Sequence, residues 1–300
     1  MPPPKKYLIV VAGPTASGKT AAAVRLAKQY ETVVISADSR QFYREMSIGT
    51  AKPTPEEMEG IPHFFIDSLS IFDTYTVGDF ERDALALLDK LYQSHDVVVL
   101  AGGSGLFIKA LCEGLDRFPD VPAEVRRKVE EGYREKGLEY LQDALRRADP
   151  DYFAVVDIRN PHRLIRALAV FEASGMPFSA FRNRQVAPRP FTPVYMLLEW
   201  DRQVLYQRIE RRVDEMVQKG LVEEARRLFP HRGCNALQTV GYIELFDHFE
   251  GKTTLEEAIA LIKQHTRNYA KRQLTWFRKQ AGWIRINGAS PLSTEVISRR

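Results

Sequence analysis

The chain has two cysteines, Cys112 and Cys234, in 300 residues. They stand far apart with no partner at ligand spacing, which excludes a zinc cluster and a disulfide framework. No apolar run is long enough to span a bilayer, so no membrane partner is expected. The start, residues 1–6, is charged but has no small-residue cleavage site. A glycine-rich loop follows that processing would waste, and a cytoplasmic protein is expected. Charge of one sign is not in large excess either. A net charge of +4 permits a nucleic-acid partner without requiring one. With 44% hydrophobic and 27% charged residues, the composition is that of a globular protein. Three local absences say more. No acid ends the apolar run 97–101, where a nucleotide hydrolase would carry a metal-binding carboxylate. No strand pattern appears across residues 119–183. No carboxylate occurs between Glu257 and Glu295.

What is present begins with Gly13-Pro14-Thr15-Ala16-Ser17-Gly18-Lys19-Thr20. An apolar run, residues 7–11, precedes it and a helical pattern, residues 21–30, follows. Strand, glycine loop and helix make the G-x-x-x-x-G-K-[ST] pattern a phosphate cradle. Glycines let the backbone curl so that successive N–H groups point inward, and the helix N-terminus adds partial positive charge. Lys19 brings a full charge, and the Thr20 hydroxyl can hold Mg²⁺. The loop predicts a bound polyphosphate or pyrophosphate and leaves its identity open.

Residues 32–36 read as a second buried parallel strand. It runs into Asp38-Ser39-Arg40-Gln41. Strand carboxyl ends face the ligand crevice of an open α/β sheet, which puts Asp38 beside the phosphate loop. There it can bind a metal, take a proton or cap a turn. Lys52, in the loop after it, is a second phosphate contact or a solvated lysine. Residues 63–67 read as a strand, with His63 at its end in a structural role. A helix is expected from Thr76 to about Ser94, with Phe80, Ala84, Leu87, Leu88 and Leu91 on one face. The strand 97–101 leads into Gly102-Gly103-Ser104-Gly105 and a short helix, a second glycine-rich turn whose Ser104 can meet a base or a phosphate.

From Gly114 the composition becomes charged and helical. Helices are expected from Pro122, around 140–145, and from Asn160 to Phe171, ended by Gly175 and Pro177. Arg126, His162, Arg163 and Arg166 are candidate phosphate contacts here. Strand pattern returns at 194–199. A long helix, 204–219, then carries Arg208 and Arg212 four apart on one face. The last informative stretch, 261–283, interleaves Lys271, Arg272 and other bases with Tyr269, Trp276 and Phe277. With no acid to compensate, it reads as an RNA-binding helix.

These motifs together resemble bacterial tRNA dimethylallyltransferases. The resemblance rests on residues 13–20, 36–53, 102–111, 157–177, the Arg208 helix, 239–244 and 266–279. One departure is Ser104, where the family more usually has threonine. The resemblance implies an α/β fold: a P-loop NTPase-like parallel sheet core with an all-helical insertion. Its parts are residues 1–113 (core), 114–190 (insertion, contacting tRNA) and 191–300 (core, with the basic helix). It implies transfer of a dimethylallyl group from dimethylallyl diphosphate to N6 of the adenosine 3′ of the anticodon, with Mg²⁺ as cofactor and the tRNA anticodon stem-loop as partner. Lys19, Arg208 and Arg212 would then neutralise the leaving diphosphate, Asp38 would take the N6 proton, and Ser104 would contact the target nucleotide. Residues 13–20 would hold the diphosphate, with the metal on Thr20. Asp38, Ser39, Arg40, Gln41, Ser104, Arg126, His162, Arg163, Arg166, Lys271, Arg272 and Trp276 would face tRNA. A monomer is expected. The competing readings are a P-loop small-molecule kinase, an isopentenyltransferase acting on free AMP or ATP, and an RNA-binding protein with a vestigial loop.

Overall fold

The computed structural model describes residues 5–182 and 188–290. The chain divides into two compact units. One takes the residues through Glu113 together with those from Arg189 on, and the other is Gly114–Pro188.

The first unit is built on a sheet of six strands: β1 (Tyr7–Ala12), β2 (Val34–Ser36), β3 (His63–Phe64), β4 (Val97–Gly102), β5 (Thr192–Glu199) and β6 (Ile284–Asn287). Their order is β3-β2-β4-β1-β5-β6, and every pairing is parallel. A parallel sheet is covered on both faces, so its central strands β1 and β4 are apolar along most of their length. Leu8, Val10, Ile35, Val98 and Leu100 pack against α3 (Val77–Leu91) and α4 (Gly105–Glu113) through Phe80, Ala84, Leu88, Ile108 and Leu111. Ile9, Val11, Val34 and Val99 pack on the other side against Ala22, Ala23, Leu26 and Ala27 of α1 (Lys19–Gln29).

Register brings the strand ends level. Ala12 lies opposite Gly102 and Leu197, and Ser36 lies opposite Ala101. The loops leaving β1, β2 and β4 therefore emerge along one edge of the sheet. After β5 the chain forms α8 (Arg202–Gln218), α9 (Leu221–Leu228), α10 (Tyr242–Phe249) and α11 (Leu255–Arg278). Numbered in chain order, the short helix Pro55–Met58 is α2, and α5 to α7 belong to the second unit. Val213, Leu221, Leu245 and Ile262 join Tyr43 and Met46 in a second core. It anchors the segment that follows Asp38.

Three local expectations change. The strand expected over 63–67 stops after Phe64, because Phe65 (φ 60°) and Asp67 (φ 54°) take left-handed conformations that turn the chain. The strand expected over 32–36 begins only at Val34, while Thr32 instead donates its hydroxyl to the Val97 carbonyl at 2.6 Å. The helix expected over 261–283 starts at Leu255, with Thr254 and Glu257 forming a reciprocal cap, and ends at Arg278. Trp283 lies beyond it and packs on Phe277 and Tyr195. On α3, Phe80, Ala84 and Leu88 are buried, while Leu87 and Leu91 are only partly so.

The second unit holds α5 (Ala123–Ala148), α6 (Pro150–Phe153) and α7 (Pro161–Ser174), with no strand among its described residues. Gly137, at φ 74°, breaks α5 into the two helical halves expected around 122–129 and 140–145. The Asn160 side chain caps α7 at the Arg163 N–H, and Gly175 ends it in a left-handed conformation. Val129, Leu141, Leu145, Leu164, Leu168 and Phe178 form this unit's own core. The far end of the helical stretch read from sequence, at Asn183, lies outside the described residues.

Candidate active site

The loop after β1 curls back on itself. The Lys19 ammonium donates to the Pro14 carbonyl at 2.8 Å, as a lysine does when it closes a phosphate loop. Desolvation lowers its pKa to about 8, against the raising effect of the Asp38 charge and with a further lowering by Arg212. Ser17 Oγ is buried with no partner among the described residues. A buried hydroxyl without a partner in a phosphate-loop pattern is a candidate donor to an anion.

Lys19, Thr20, Ser36, Asp38, Gln41, Ala101 and Gly102 line one cavity of ≈ 40 Å³ at the strand ends. His63 lines it too. Its Nδ1 faces the Ile61 carbonyl at 2.8 Å and its Nε2 is buried without a partner. Burial lowers its pKa, against a raising effect of the Ile61 carbonyl. The sequence reading gave His63 only a strand-end role. Gly102 is glycine for a steric reason, since a Cβ there would lie 2.3 Å from the Ala37 carbonyl oxygen.

The segment after β2 is tied to the turn after β4. Ser39 N–H donates to Ser104 Oγ at 3.2 Å, and the two hydroxyls lie 3.3 Å apart. Asp38 accepts the Arg40 N–H at 3.2 Å, which turns its carboxylate back over its own loop. The Arg40 guanidinium donates to the carbonyls of Asn235, Ala236 and Gln238, so its charge holds the loop before α10. Gln41 donates to the Ala51 carbonyl at 3.2 Å. Lys52 is neither a phosphate contact nor a solvated lysine. It is ion-paired with Asp67 and donates to the Tyr43 carbonyl.

Arg208 and Arg212 reach the site from α8. Arg208 Nε donates to the Ala16 carbonyl at 2.8 Å, and its guanidinium stacks on Trp200 at 4.3 Å. The Trp200 indole donates to the Ser17 carbonyl at 2.9 Å, so the pair braces the loop from outside. Arg212 donates to the Ala51 carbonyl, and burial lowers its pKa against the pull of Asp38.

Several residues of this site were not read from sequence. Glu224, buried in α9, accepts from the N–H groups of Ser47, Ile48 and Gly49 at 2.9–3.0 Å and from the Tyr242 hydroxyl at 2.7 Å. That buried carboxylate holds the segment 47–49 behind Asp38. Tyr269 of α11, read from sequence only as an aromatic of the basic helix, meets Ser104, and partial burial with the Asp38 charge raises its phenol to about 12. Gln273 of α11 accepts from Thr15 N–H and donates to the Gly103 carbonyl, both at 2.9 Å. Its signal was in the spacing. Ala270, Gln273 and Phe277 form the buried stripe of α11, and an amide on such a stripe needs partners.

On its outer side α11 presents Lys271, Arg272, Thr275, Trp276 and Lys279 along an open groove. The absence of compensating acids in the sequence does not survive folding. Lys263 pairs with Asp214, Arg267 with Glu210 and Arg278 with Glu199, acids supplied by α8 and β5. No ion pair is present for Lys271, Arg272 or Lys279 among the described residues. In the second unit Arg126, His162, Arg163 and Arg166 are all exposed. Arg126 pairs with Glu130, and the Arg166 guanidinium lies over Phe118.

No group of three or more His, Cys, Asp or Glu at metal-binding distance occurs among the described residues. No helix among them is long and apolar enough to cross a membrane.

Comparison with known proteins adds to this geometry. The IPP transferase family model matches residues 41–280. The chain is 52% identical over 273 residues to the tRNA dimethylallyltransferase of Christiangramia forsetii, covering 91% of this chain and 90% of that protein. It is 49% identical to the tRNA dimethylallyltransferase of Cytophaga hutchinsonii, covering 92% and 91%. Among solved structures, it superposes on the full-length tRNA isopentenylpyrophosphate transferase of Bacillus halodurans with a TM-score of 0.72. That match is at 37% identity and covers 98% of this chain and 94% of that one.

Proposed function

The chain belongs to the IPP transferase family, and we propose that it transfers the dimethylallyl group of dimethylallyl diphosphate to N6 of the adenosine 3′ of the anticodon in tRNA. The observation that carries this reading is the shared cavity of Lys19, Thr20 and Asp38. An anion-binding group, a hard oxygen donor and a carboxylate meet where three strand ends converge. A kinase or hydrolase reading lacks its usual carboxylate, because β4 ends in Gly102. A prenyl transfer needs no activated water, so that absence suits it.

Bond by bond, the adenine N6 lone pair attacks the allylic carbon and a C–N bond forms. The C–O bond to the diphosphate breaks, and its electron pair leaves on the diphosphate oxygen. Asp38 takes the N6 proton. Lys19, the loop N–H groups and the arginines of α8 stabilise the charge that develops on the leaving group. Thr20 is the residue that would hold Mg²⁺. The fit is good, since magnesium commonly binds through one or two protein oxygens together with substrate phosphates. When bound, the ion supplies further charge neutralisation on the diphosphate. Adenine N6 is a weak nucleophile, so positioning by the Ser39–Ser104 wall carries part of the rate.

The target base must leave its stack to reach the cavity. We assign tRNA contacts in the first unit to the outer face of α11 and, separately, in the second unit to Arg126, His162, Arg163 and Arg166. The chain acts as a monomer in the cytoplasm.

The test is Asp38→Ala. Transfer of label from dimethylallyl diphosphate to unmodified tRNA is expected to fall by about 10²–10⁴, the usual contribution of a general base, with tRNA affinity retained. Transfer at the wild-type rate would remove Asp38 as the base. Wild-type protein that labels a small molecule from γ-labelled ATP and leaves RNA unlabelled would establish the kinase reading instead.

A further inference from the structure

Gln273 sits where three parts of the first unit meet. It is 7% exposed. Its Oε1 accepts the N–H of Thr15 in the phosphate loop, and its Nε2 donates to the Gly103 carbonyl in the turn that carries Ser104. One buried amide thus spans the loop proposed for the donor and the wall proposed for the acceptor base. The fit is close, since a Cβ at Gly103 would lie 2.3 Å from Gln273 Nε2. The helix that delivers this amide also bears the free basic face. Lys271 and Arg272 precede Gln273, and Thr275 and Trp276 follow it. The Trp276 indole lies against Gly105 at the start of α4, where a Cβ would come within 2.2 Å of the ring. Over a single turn and a half, α11 therefore touches solvent on one side and both ligand loops on the other.

We infer that Gln273 is a positioning residue that couples the RNA face of α11 to the diphosphate loop, so that acceptor RNA and donor diphosphate strengthen each other's binding through it. The inference rests on the transfer proposed above. An RNA seated on Lys271, Arg272 and Trp276 fixes α11. A fixed α11 holds Gln273, and Gln273 holds the first turn of the phosphate loop through Thr15. Coupling of this kind is reciprocal, so donor occupancy must tighten RNA binding by the same factor. The amide is the group that serves. Glutamate would keep the acceptor for Thr15 but turn a carboxylate against the Gly103 carbonyl. Methionine of similar length would lose both bonds.

The experiment measures affinity for the unreactive thiolo analogue of dimethylallyl diphosphate, with and without a saturating synthetic anticodon stem-loop, in the full-length protein. For wild type the stem-loop is expected to tighten analogue binding by at least about fivefold, the lower end of ordinary coupling. In Gln273→Met the tightening falls towards onefold, whatever the affinity of each ligand alone. Gly103→Ala drives a methyl group into the same bridge from the other side and is expected to lose the tightening too. It supplies the result if Gln273→Met does not give a cooperative melt. Tightening that persists at the wild-type factor in either folded variant overturns the inference, and so does a wild type that transfers label yet shows no tightening. Wild-type protein that neither binds the stem-loop nor labels it overturns the transfer reading as well.

Discussion

Lys19 carries the most informative chemistry of any single residue here. Its ammonium is partly withdrawn from water and held by the Pro14 carbonyl, and desolvation lowers its pKa to about 8. A lysine is charged below its pKa, so the free site attracts diphosphate fully below pH 8 and progressively less above it. Analogue affinity is expected to be level from about pH 6 to 7.5 and to fall as pH rises through 8, by up to about tenfold per unit. Lys19→Arg, charged throughout, should flatten this profile even though it weakens binding overall. A wild-type profile without a break near pH 8 would show that the lysine is not the titrating group. Asp38 has the opposite character. Its motif was legible in sequence, yet the residues that support it were not. Glu224 and Tyr242 lie far along the chain, and no local pattern says that a buried carboxylate will collect three backbone N–H groups from residues 47–49. The same holds for His63, which looked like a strand end and lines the cavity.

At the scale of elements, α11 shows how a charge pattern is divided by folding. The acid-free stretch reads from sequence as an RNA-binding helix with no compensating acid, and folding gives it two kinds of neighbours. Three of its bases are neutralised by Asp214, Glu210 and Glu199, and the outward set is not. Only that set remains to meet phosphates. Lys271→Ala with Arg272→Ala is expected to weaken stem-loop binding and to reduce the slope of log affinity against log salt by about 1.4, two contacts at roughly 0.7 each on single-stranded RNA. Equal loss from Lys263→Ala would contradict the division, because that lysine is already paired. An unchanged slope in the double variant would remove this face as the RNA surface. The aromatics divide in the same way. Phe277 is 1% exposed and belongs to the core, while Tyr269 and Trp276 are each 38% exposed and can stack. The strand expected over 63–67 failed for a local reason, since two left-handed residues within it could not be seen in a run of apolar side chains.

For the whole molecule, the two compact units each have a core. Residues 114–188 bury Leu141, Leu145, Leu164, Leu168 and Phe178 among themselves. Expressed alone, this segment is expected to give a cooperative but low-temperature thermal melt, as its size allows only a marginal core. A non-cooperative loss of helix signal would show that it needs the rest of the chain. Five of the six strands of the parallel sheet, the phosphate loop, the Asp38 segment and the glycine turn at 102–105 followed from the sequence alone, because each is a local pattern: an apolar run, then glycines, then a helical period; β6 (Ile284–Asn287) did not. Their order along the chain also placed them at strand carboxyl ends. What only the tertiary structure decided is long-range. Gln273 reaches Thr15 across 258 positions, Arg40 caps a loop near 236, and acids from α8 cancel bases of α11. Hydrogen bonds and ion pairs between distant residues leave no periodic trace, since either partner alone is an ordinary polar residue. Packing at the sheet edge supplies the partner and, with it, the role.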